Sequence, residues 1–279
     1  NHHPQSWWQG LEQKDEEGYS THLITDHAVR YIEEHKDEPF CLYVSHEAVH
    51  LPWQGPKDGP FTTRLRDWKL EDVKEKYLIM TQELDKGLGA VLDTVEQCGL
   101  ADNTLVFYFS DNGGIENVAS NAPFRGVKAD LWEGGHRVPA IAWWPGKIPA
   151  GTQSDALTSG MDLFPTIADI ADLPIPPERK MDGTSLKDLL FKQEPIPDRP
   201  FFVGYEARGT AMRDGPWKFI TSKYRGWELY NLDDDISESH NLAHDNPQKA
   251  ADMNIEVAKW RKDVHSEAPL IAWGHDMRS

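Results

Sequence analysis

Apolar residues recur at helical spacing in two long segments of the chain. One lies around residues 19–35, and the other lies near Asp72–Cys98 with Gly99 directly after it. Apolar side chains three and four residues apart form one face of an amphipathic helix, which a glycine commonly ends. The second segment carries this face on Tyr77, Met80, Leu84, Leu88, Val91, Leu92 and Val95. The pattern predicts two long helices, the first capped by Ser20 or Thr21.

Three short apolar runs without alternation predict buried strands. They are Phe40–Val44, Thr104–Phe109 and Val138–Trp144. Such runs are typical of strands covered on both faces, as in a parallel sheet with crossover helices. Polar loops follow the first two runs, at His46–Trp53 and Ser110–Gly114. Because ligands of such sheets bind beyond the carboxyl ends of the strands, both loops are candidate parts of a functional site.

The pattern changes after about Pro174. A helical segment, Met161–Ala171, precedes this point, and prolines then punctuate the chain up to Pro200. Short strand-like pieces follow at 201–203, 217–220 and 227–230, and a helical pattern near Pro247–Val264 comes last. The sequence therefore predicts an α/β fold followed by a small antiparallel sheet that a helix closes.

The charge of the chain restricts its partners. It has 46 acidic and 29 basic residues, a formal net charge of −17. A field of this sign repels nucleic acid, and a small anion would need local positive charge or a bound cation. No apolar run approaches the roughly 18 residues that a membrane span requires. We expect neither a nucleic-acid partner nor a membrane span.

The cysteines and the first residues of the chain give little information about its cellular location. Cys41 and Cys98 are the only cysteines, which excludes a disulfide framework and predicts free thiols, although pairing stays open. The chain starts without Met, basic region or apolar region, so we expect it to begin in mid-protein. The compartment is unknown on this basis.

The tetrapeptide Asp111-Asn112-Gly113-Gly114 is a candidate cation-binding loop. Carboxylate and amide oxygens are hard ligands that suit Ca²⁺ or Mg²⁺ better than zinc. Adjacent glycines let other backbone approach closely. Since Asp, Asn and Gly also favour turns, a simple turn is the alternative.

Other candidate groups lie in the neighbouring loops. Lys128 near a cation and an anionic ester could stabilise the departing bridging oxygen, while a solvated surface lysine is the alternative. His46 and His50 are suited to donate to an anionic oxygen, or are simply hydrogen-bonded loop histidines. Glu133 and Arg137, four residues apart, are predicted to form a structural ion pair.

Several motifs occur along the chain in one fixed order. They are His50-Leu51-Pro52, Asp111-Asn112-Gly113, Arg125-Gly126-Val127-Lys128, Glu133-Gly134-Gly135-His136-Arg137-Val138-Pro139, Trp144-Pro145-Gly146, Met181-Asp182-Gly183 and Trp227-Glu228-Leu229-Tyr230-Asn231-Leu232. This ordered set resembles the C-terminal half of the sulfatase family, in the alkaline-phosphatase-like superfamily, from about Gly18 onward. The motifs are most similar to those of the N-acetylgalactosamine-6-sulfatase and arylsulfatase A branch.

The resemblance implies a sulfuric ester hydrolase acting on a sulfated carbohydrate or an aryl sulfate. It implies Ca²⁺ or Mg²⁺ bound in part by Asp111 and Asn112, with His50 and Lys128 contacting the sulfate group. It also implies part of a mixed sheet flanked by helices: residues 1–195 would belong to the catalytic α/β domain and residues 196–279 to a small C-terminal α+β subdomain. Family members are commonly periplasmic, secreted or lysosomal.

The sequence departs from the family at the nucleophile. The family uses a formylglycine made from Cys or Ser within Cys/Ser-x-Pro-x-Arg, and this motif is absent, as are a Gly-x-Ser-x-Gly elbow and a P-loop. We therefore expect the 279 residues alone to be inactive, with the formylglycine in the parent protein. A sheet lacking its first strands would also expose an edge through which the chain could oligomerise.

Two alternatives stay open at this point. An alkaline-phosphatase-like phosphodiesterase or phosphonate hydrolase would share the fold and the metal ligands, although few of its extra His and Asp ligands follow Asp111. A non-catalytic fragment, retained for binding or assembly, would explain the missing nucleophile.

Overall fold

The chain folds into two compact units. The computed structural model describes residues 7–59, 69–205 and 208–267. The first unit comprises the chain up to Phe107 together with Ala142–Ala150, and the second comprises Tyr108–Ile141 and the chain from Gly151 onward. The predicted domain boundary near residue 195 stays a prediction.

Two helices dominate the first unit, as the apolar spacing predicts. A short antiparallel hairpin of β1 (Trp7–Gln9) and β2 (Glu12–Lys14) comes first. It is followed by α1 (Ser20–His35) and α2 (Leu70–Gln97), which pack against each other. Gly99 lies just beyond α2 with a φ of +71°, a left-handed conformation that suits glycine at a helix end.

The contact between α1 and α2 depends on a small residue. A methyl group at Gly87 of α2 would overlap the hydroxyl of Thr25 in α1. Thr25 donates that hydroxyl to Thr21 O over 2.8 Å. The predicted cap at Ser20 or Thr21 is wrong, because Tyr19 precedes the helix without a side-chain cap and both residues are buried within the first turn.

The predicted strand over Phe40–Val44 is also wrong. The segment belongs to no strand, Cys41 is exposed, and Tyr43 is 81% exposed. A strand requires a neighbouring backbone that pairs with its N–H and C=O groups. No part of the chain that the structure describes pairs with this segment, and an apolar run alone does not supply such a partner.

The next two predicted strands form, but they are shorter and less buried than expected. β3 (Val106–Phe109) and β4 (Ala140–Trp143) make a two-stranded sheet. With one neighbour each among the described residues, the strands leave apolar side chains uncovered, including Ile141 at 60% exposure. Between them lies the single-turn helix α3 (Glu133–His136).

Asp162 organises the middle of the second unit. It ends a 3₁₀ turn and precedes α4 (Leu163–Ile170), which confirms the helix predicted there. Its fully buried carboxylate accepts hydrogen bonds from Ser159 N at 2.8 Å and from an Arg199 guanidinium nitrogen at 2.5 Å. This carboxylate therefore ties the start of α4 to the proline-rich segment that leads into the C-terminal sheet. A short helix, α5 (Lys187–Lys192), lies between the two.

The C-terminal sheet has four antiparallel strands in sequence order. They are β5 (Phe201–Tyr205), β6 (Gly209–Asp214), β7 (Trp217–Ser222) and β8 (Gly226–Asn231). A final helix, α6 (Pro247–Glu267), follows. The small sheet and its closing helix are confirmed, and β6 is the strand that the sequence pattern did not predict.

Both faces of this sheet are buried. One face packs on α6 through a core of Met212, Phe219, Leu229, Ala250, Met253 and Val257. The other packs on the segment before α3, through Leu131, Ala211, Ile220, Tyr230 and Leu232. Because side chains alternate along a strand, Lys218 lies on the same face of β7 as Ile220. The strand thus directs a lysine into the interior of the unit.

Candidate functional site

The Asp111–Gly114 loop follows directly after β3. The carboxylate of Asp111 and the side-chain amide of Asn112 form no hydrogen bond or ion pair with any residue that the structure describes, and Asp111 is exposed. The Ser110 hydroxyl donates to the backbone carbonyl of Asn112 over 3.0 Å. Two hard oxygen ligands are therefore available at this position for a cation.

Backbone contacts lock this loop to the two segments that follow it. Gly113 N donates to Gly135 O at 3.0 Å, and Gly134 N donates to Arg125 O at 2.7 Å. Lys128 N donates to Gly114 O at 2.9 Å. We call this arrangement the glycine interlock. It fixes the backbone of Lys128 directly against the candidate cation-binding loop.

Three positions of the interlock require glycine because there is no space for a side chain. A methyl group on Gly113 would overlap the carbonyl oxygen of Gly134, and one on Gly134 would overlap the carbonyl of Gly126. A methyl group on Gly135 would overlap the carbonyl oxygen of Asp130. In each case the neighbour is backbone, which cannot move aside as a flexible side chain can.

Asn121 fastens the interlock from a loop. Its Oδ1 accepts a hydrogen bond from Gly114 N at 2.8 Å, and its Nδ2 donates to Gly114 O and Gly126 O, each at 3.1 Å. One amide side chain thus satisfies backbone groups of two different segments. The sequence analysis missed this residue, since an asparagine within a loop carries no signal of such a role.

The remaining predicted contact residues occupy different surroundings. The Lys128 ammonium forms no ion pair or hydrogen bond within the described part of the second unit. His50 belongs to the first unit, is exposed, and places Nδ1 2.8 Å from Leu51 O. His46 is hydrogen-bonded through Nε2 to the Thr25 hydroxyl at 3.0 Å, and burial lowers its pKa. These contacts favour the interpretation of His46 as a hydrogen-bonded loop histidine over that of an anion-binding group.

A buried lysine lies between two carboxylates behind α3. Lys218 Nζ is 2.7 Å from Glu133 Oε1 and 3.4 Å from Glu238 Oε1, and none of the three side chains is more than 2% exposed. Glu133 N donates to the other oxygen of Glu238 at 2.7 Å. Glu238 Oε1 is buried and has an ionic contact with the ammonium but no hydrogen-bond partner among the described groups.

The pKa values within this cluster move in different directions. Burial is the largest influence on Glu133 and would raise its pKa, but the charge and the hydrogen bond of Lys218, together with His136 and Arg213, outweigh burial and lower that pKa below its usual range. Burial raises the pKa of Glu238. Burial, together with Lys218, lowers the pKa of His136 to about 4. His136 is therefore neutral at neutral pH, and its Nε2 lies 3.0 Å from the Lys218 ammonium and 3.2 Å from Leu131 O.

The predicted ion pair of Glu133 and Arg137 forms, with a separation of 3.5 Å. Arg213 lies 3.4 Å from the same carboxylate, but the closer and fully buried partner is Lys218. Sequence reasoning missed Lys218 and Glu238. A signal existed for Lys218, because it lies among the apolar residues Trp217, Phe219 and Ile220 of β7 and shares a strand face with Ile220.

Substituting alanine for Gly113 should test the interlock. We expect a loss of about 1–3 kcal/mol in unfolding free energy, because the new methyl group forces backbone apart. Gly89, inside α2, is the matched control, since a methyl group there meets no atom within 4 Å. Gly89→Ala should stabilise the protein by roughly 0.5–1 kcal/mol through helix propensity. Urea denaturation of both variants measures the difference, and equal effects would contradict the interlock.

We also examined the rest of the described chain for metal-ligand clusters, cavities and membrane-spanning helices. No group of three or more His, Cys, Asp or Glu side chains that could hold a metal occurs among the described residues. A cavity of about 350 Å³ in the second unit is lined by Pro195, Pro197 and Arg199 among others, and by none of the predicted site residues. Within the described range, no helix combines the length and apolarity needed to cross a membrane.

Comparisons with known families and proteins agree with the order of the motifs. The family model described as "Sulfatase" matches residues 2–173, more than half of the chain. A second model, "N-sulphoglucosamine sulphohydrolase, C-terminal", matches residues 128–263. The two matches overlap over residues 128–173, which include Lys128, Gly134 and Gly135 of the interlock, and together they extend from the first unit to α6.

Individual relatives lead to the same family. N-acetylgalactosamine-6-sulfatase of Mus musculus is 31% identical over 94% of this chain and 48% of its own length. An arylsulfatase of Hemicentrotus pulcherrimus is 32% identical over 76% of this chain and 38% of its own length. A crystal structure of Ps i-CgsB in complex with k-i-k-neocarrahexaose aligns with a TM-score of 0.78 at 28% identity, covering 90% of this chain and 56% of that one.

A structure of a protein in complex with its substrate D-glucosamine-2-N,6-O-disulfate shares the fold, with a TM-score of 0.73 at 20% identity, over 94% of this chain and 73% of that one. The chain spans about half the length of the curated relatives described above. The alkaline-phosphatase-like α/β fold that the motifs implied is thereby confirmed. With the family models, the relatives and the fold in agreement, the chain belongs to the sulfatase family.

Proposed function

We propose that this chain supplies part of the active site of a sulfuric ester hydrolase, and that the whole protein hydrolyses a sulfated carbohydrate. One observation carries the proposal: the glycine interlock holds two oxygen ligands and a lysine on adjoining backbone, and none of the three side chains has a partner among the described residues. A local cation and an ammonium group would let a chain of net charge −17 accept a sulfate ester.

Asp111 and Asn112 are the residues that would hold the divalent cation, Ca²⁺ or Mg²⁺. Their carboxylate and amide oxygens fit a hard cation, and neither is occupied by another described group. Since Ca²⁺ takes about six to eight oxygen ligands, these two form only part of the coordination sphere. When bound, the cation would neutralise negative charge on the sulfate oxygens.

Lys128 would act on the bridging oxygen of the ester. Its backbone is fixed at Gly114 O, while its ammonium is left without a protein partner among the described residues. An ammonium at the bridging oxygen stabilises the negative charge that develops there as the S–O bond breaks, and can transfer a proton to it.

His50 would contact a non-bridging sulfate oxygen. Its Nδ1 lies 2.8 Å from Leu51 O, which leaves Nε2 as the ring nitrogen that would face the sulfate group. The formylglycine nucleophile would come from outside these 279 residues, which alone should show no turnover.

Calcium dependence tests the metal assignment. We expect Asp111→Asn in the whole protein to weaken Ca²⁺ binding at least 100-fold, because even outer-shell partners of a metal site are worth roughly 10–100-fold. Calorimetric titration after chelation gives the affinity, and release of sulfate from N-acetylgalactosamine-6-sulfate gives the activity. Glu116→Gln is the matched control, since Glu116 is a nearby exposed carboxylate.

Two results would contradict the proposal. One is unchanged calcium affinity in Asp111→Asn, which would remove this residue from the metal site. The other is turnover of the sulfate ester by the 279-residue chain alone, which would show that the nucleophile lies within it.

A further inference from the structure

A patch of cationic and aromatic side chains lies beside the Lys128 segment. It comprises Trp132 just before α3, Arg208 in the β5–β6 turn, and Lys223, Tyr224 and Arg225 in the β7–β8 turn; we call it the cationic patch. All five residues belong to the second unit. None of them takes part in the sulfate-ester chemistry proposed above.

Direct contacts join the patch to the segment that carries Lys128. The Arg225 guanidinium carbon lies 4.1 Å from the centre of the Trp132 ring, which draws the β7–β8 turn toward α3. One oxygen of Asp130 binds Arg208 at 2.9 Å, and its other oxygen accepts from Val127 N at 3.0 Å. Since Val127 precedes Lys128, a single carboxylate links the patch to the proposed ester-binding lysine.

The charges in the β7–β8 turn have no acidic partner among the residues that the structure describes. Neither Lys223 nor Arg225 forms an ion pair with an acidic residue of the described chain, although acidic residues outnumber basic ones 46 to 29 overall. The Tyr224 ring between them is 80% exposed. Exposed guanidinium and ammonium groups bind sulfate and carboxylate oxygens, and an exposed aromatic ring offers a surface for the apolar face of a sugar.

We propose that the cationic patch binds a second anionic group of the substrate, so that the substrate is an oligosaccharide with at least two sulfate or carboxylate groups. The inference rests on the proposed function, because it places the reacting ester at Lys128. An aryl sulfate or a singly sulfated monosaccharide would leave the patch empty.

Binding of sucrose octasulfate to the full chain tests this inference. Titration by calorimetry in chelator, without metal, should show binding that Arg225→Gln weakens about tenfold or more, the usual cost of losing one charge-assisted hydrogen bond. Adding Lys223→Gln should weaken it further. Arg179→Gln is the matched control, since Arg179 is an exposed arginine of the same unit outside the patch; its affinity should equal that of the unmodified chain.

The inference is overturned if Arg225→Gln lowers only the unfolding free energy and leaves the affinity unchanged, because Arg225 then merely packs on Trp132. Equal affinity for tripolyphosphate would also overturn it, since the patch would then be a general anion site. Metal-free binding is separate from turnover. Hydrolysis by the whole protein, with no effect of Arg225→Gln on affinity, removes only this inference. Weaker binding by Arg225→Gln, with no hydrolysis of any sulfate ester by the whole protein, removes only the proposed function.

Discussion

Replacing Lys218 with methionine should destabilise the protein by about 3–5 kcal/mol, the usual cost of removing one partner from a buried ion pair. Methionine fills a similar volume, so the loss would come from charge and not from a cavity. Without the ammonium, the buried carboxylates of Glu133 and Glu238 face each other with no cation between them. Urea denaturation near neutral pH measures the loss.

The pH dependence of this loss separates charge from packing. Without Lys218, the folded-state pKa of both carboxyl groups should lie above the unfolded value of about 4.3. A raised carboxyl pKa gives stability that is full below the unfolded pKa and is lost as the pH rises through the folded one. The deficit of Lys218→Met should therefore shrink as the pH falls toward 4. A deficit that stays constant between pH 7 and 4 would contradict the charge explanation.

Lys259→Met supplies the matched control for Lys218→Met. Lys259 pairs with Glu256 on the exposed surface of α6, at 2.6 Å. Solvent screening leaves such surface pairs worth little, so its removal should change the unfolding free energy by no more than about 0.5 kcal/mol.

Replacing Lys128 with alanine in the whole protein should lower kcat on a sulfated sugar by about 100- to 1,000-fold, the usual effect of removing a group that stabilises transition-state charge. The reason is that a sugar alkoxide leaves poorly without positive charge or a proton at the bridging oxygen. On 4-nitrophenyl sulfate, whose phenolate leaves readily, the loss should be much smaller. Steady-state kinetics on both substrates measure the two losses.

The comparison of two leaving groups distinguishes action of Lys128 on the bridging oxygen from simple binding of the sulfate group. If Lys128 only binds the sulfate group, kcat/KM should fall by a similar factor on both substrates, and the proposed action on the bridging oxygen would be rejected. Lys147→Ala serves as the control, because Lys147 is an exposed lysine in the turn after β4. It should leave the kinetics on both substrates unchanged.

The helices could be predicted from the sequence more accurately than the strands of the first unit. Helical periodicity is a local property, and it located α1 and α2 to within about two residues. Strand formation at Phe40–Val44 depends on a partner that is distant in sequence, so an apolar run could not establish it. The omission of β6 has the same origin, since Gly209–Asp214 is identified as a strand by its pairing with β5 and β7.

The candidate residues of the site could be proposed from the sequence, whereas the residues that support the site could not. Asp111, Asn112 and Lys128 can be singled out by their functional groups, and the roles assigned to them stay proposals. The buried partners Lys218 and Glu238 lie far along the chain from Glu133, and their proximity is a property of the folded sheet. Asn121 acts only through backbone groups that the fold brings to it.

The glycine interlock separates the shape of the loop from its reactivity. Its three segments are joined by backbone N–H and C=O groups, whereas the side chains of Asp111, Asn112 and Lys128 take no part in those contacts. If these three side chains bind the cation and the ester as proposed, exchanging them would change what the loop recognises without disturbing the hydrogen bonds that hold it. For protein engineering, this loop is therefore a place where functional side chains can be replaced while the backbone conformation is kept, provided that Gly113, Gly134 and Gly135 are left unchanged.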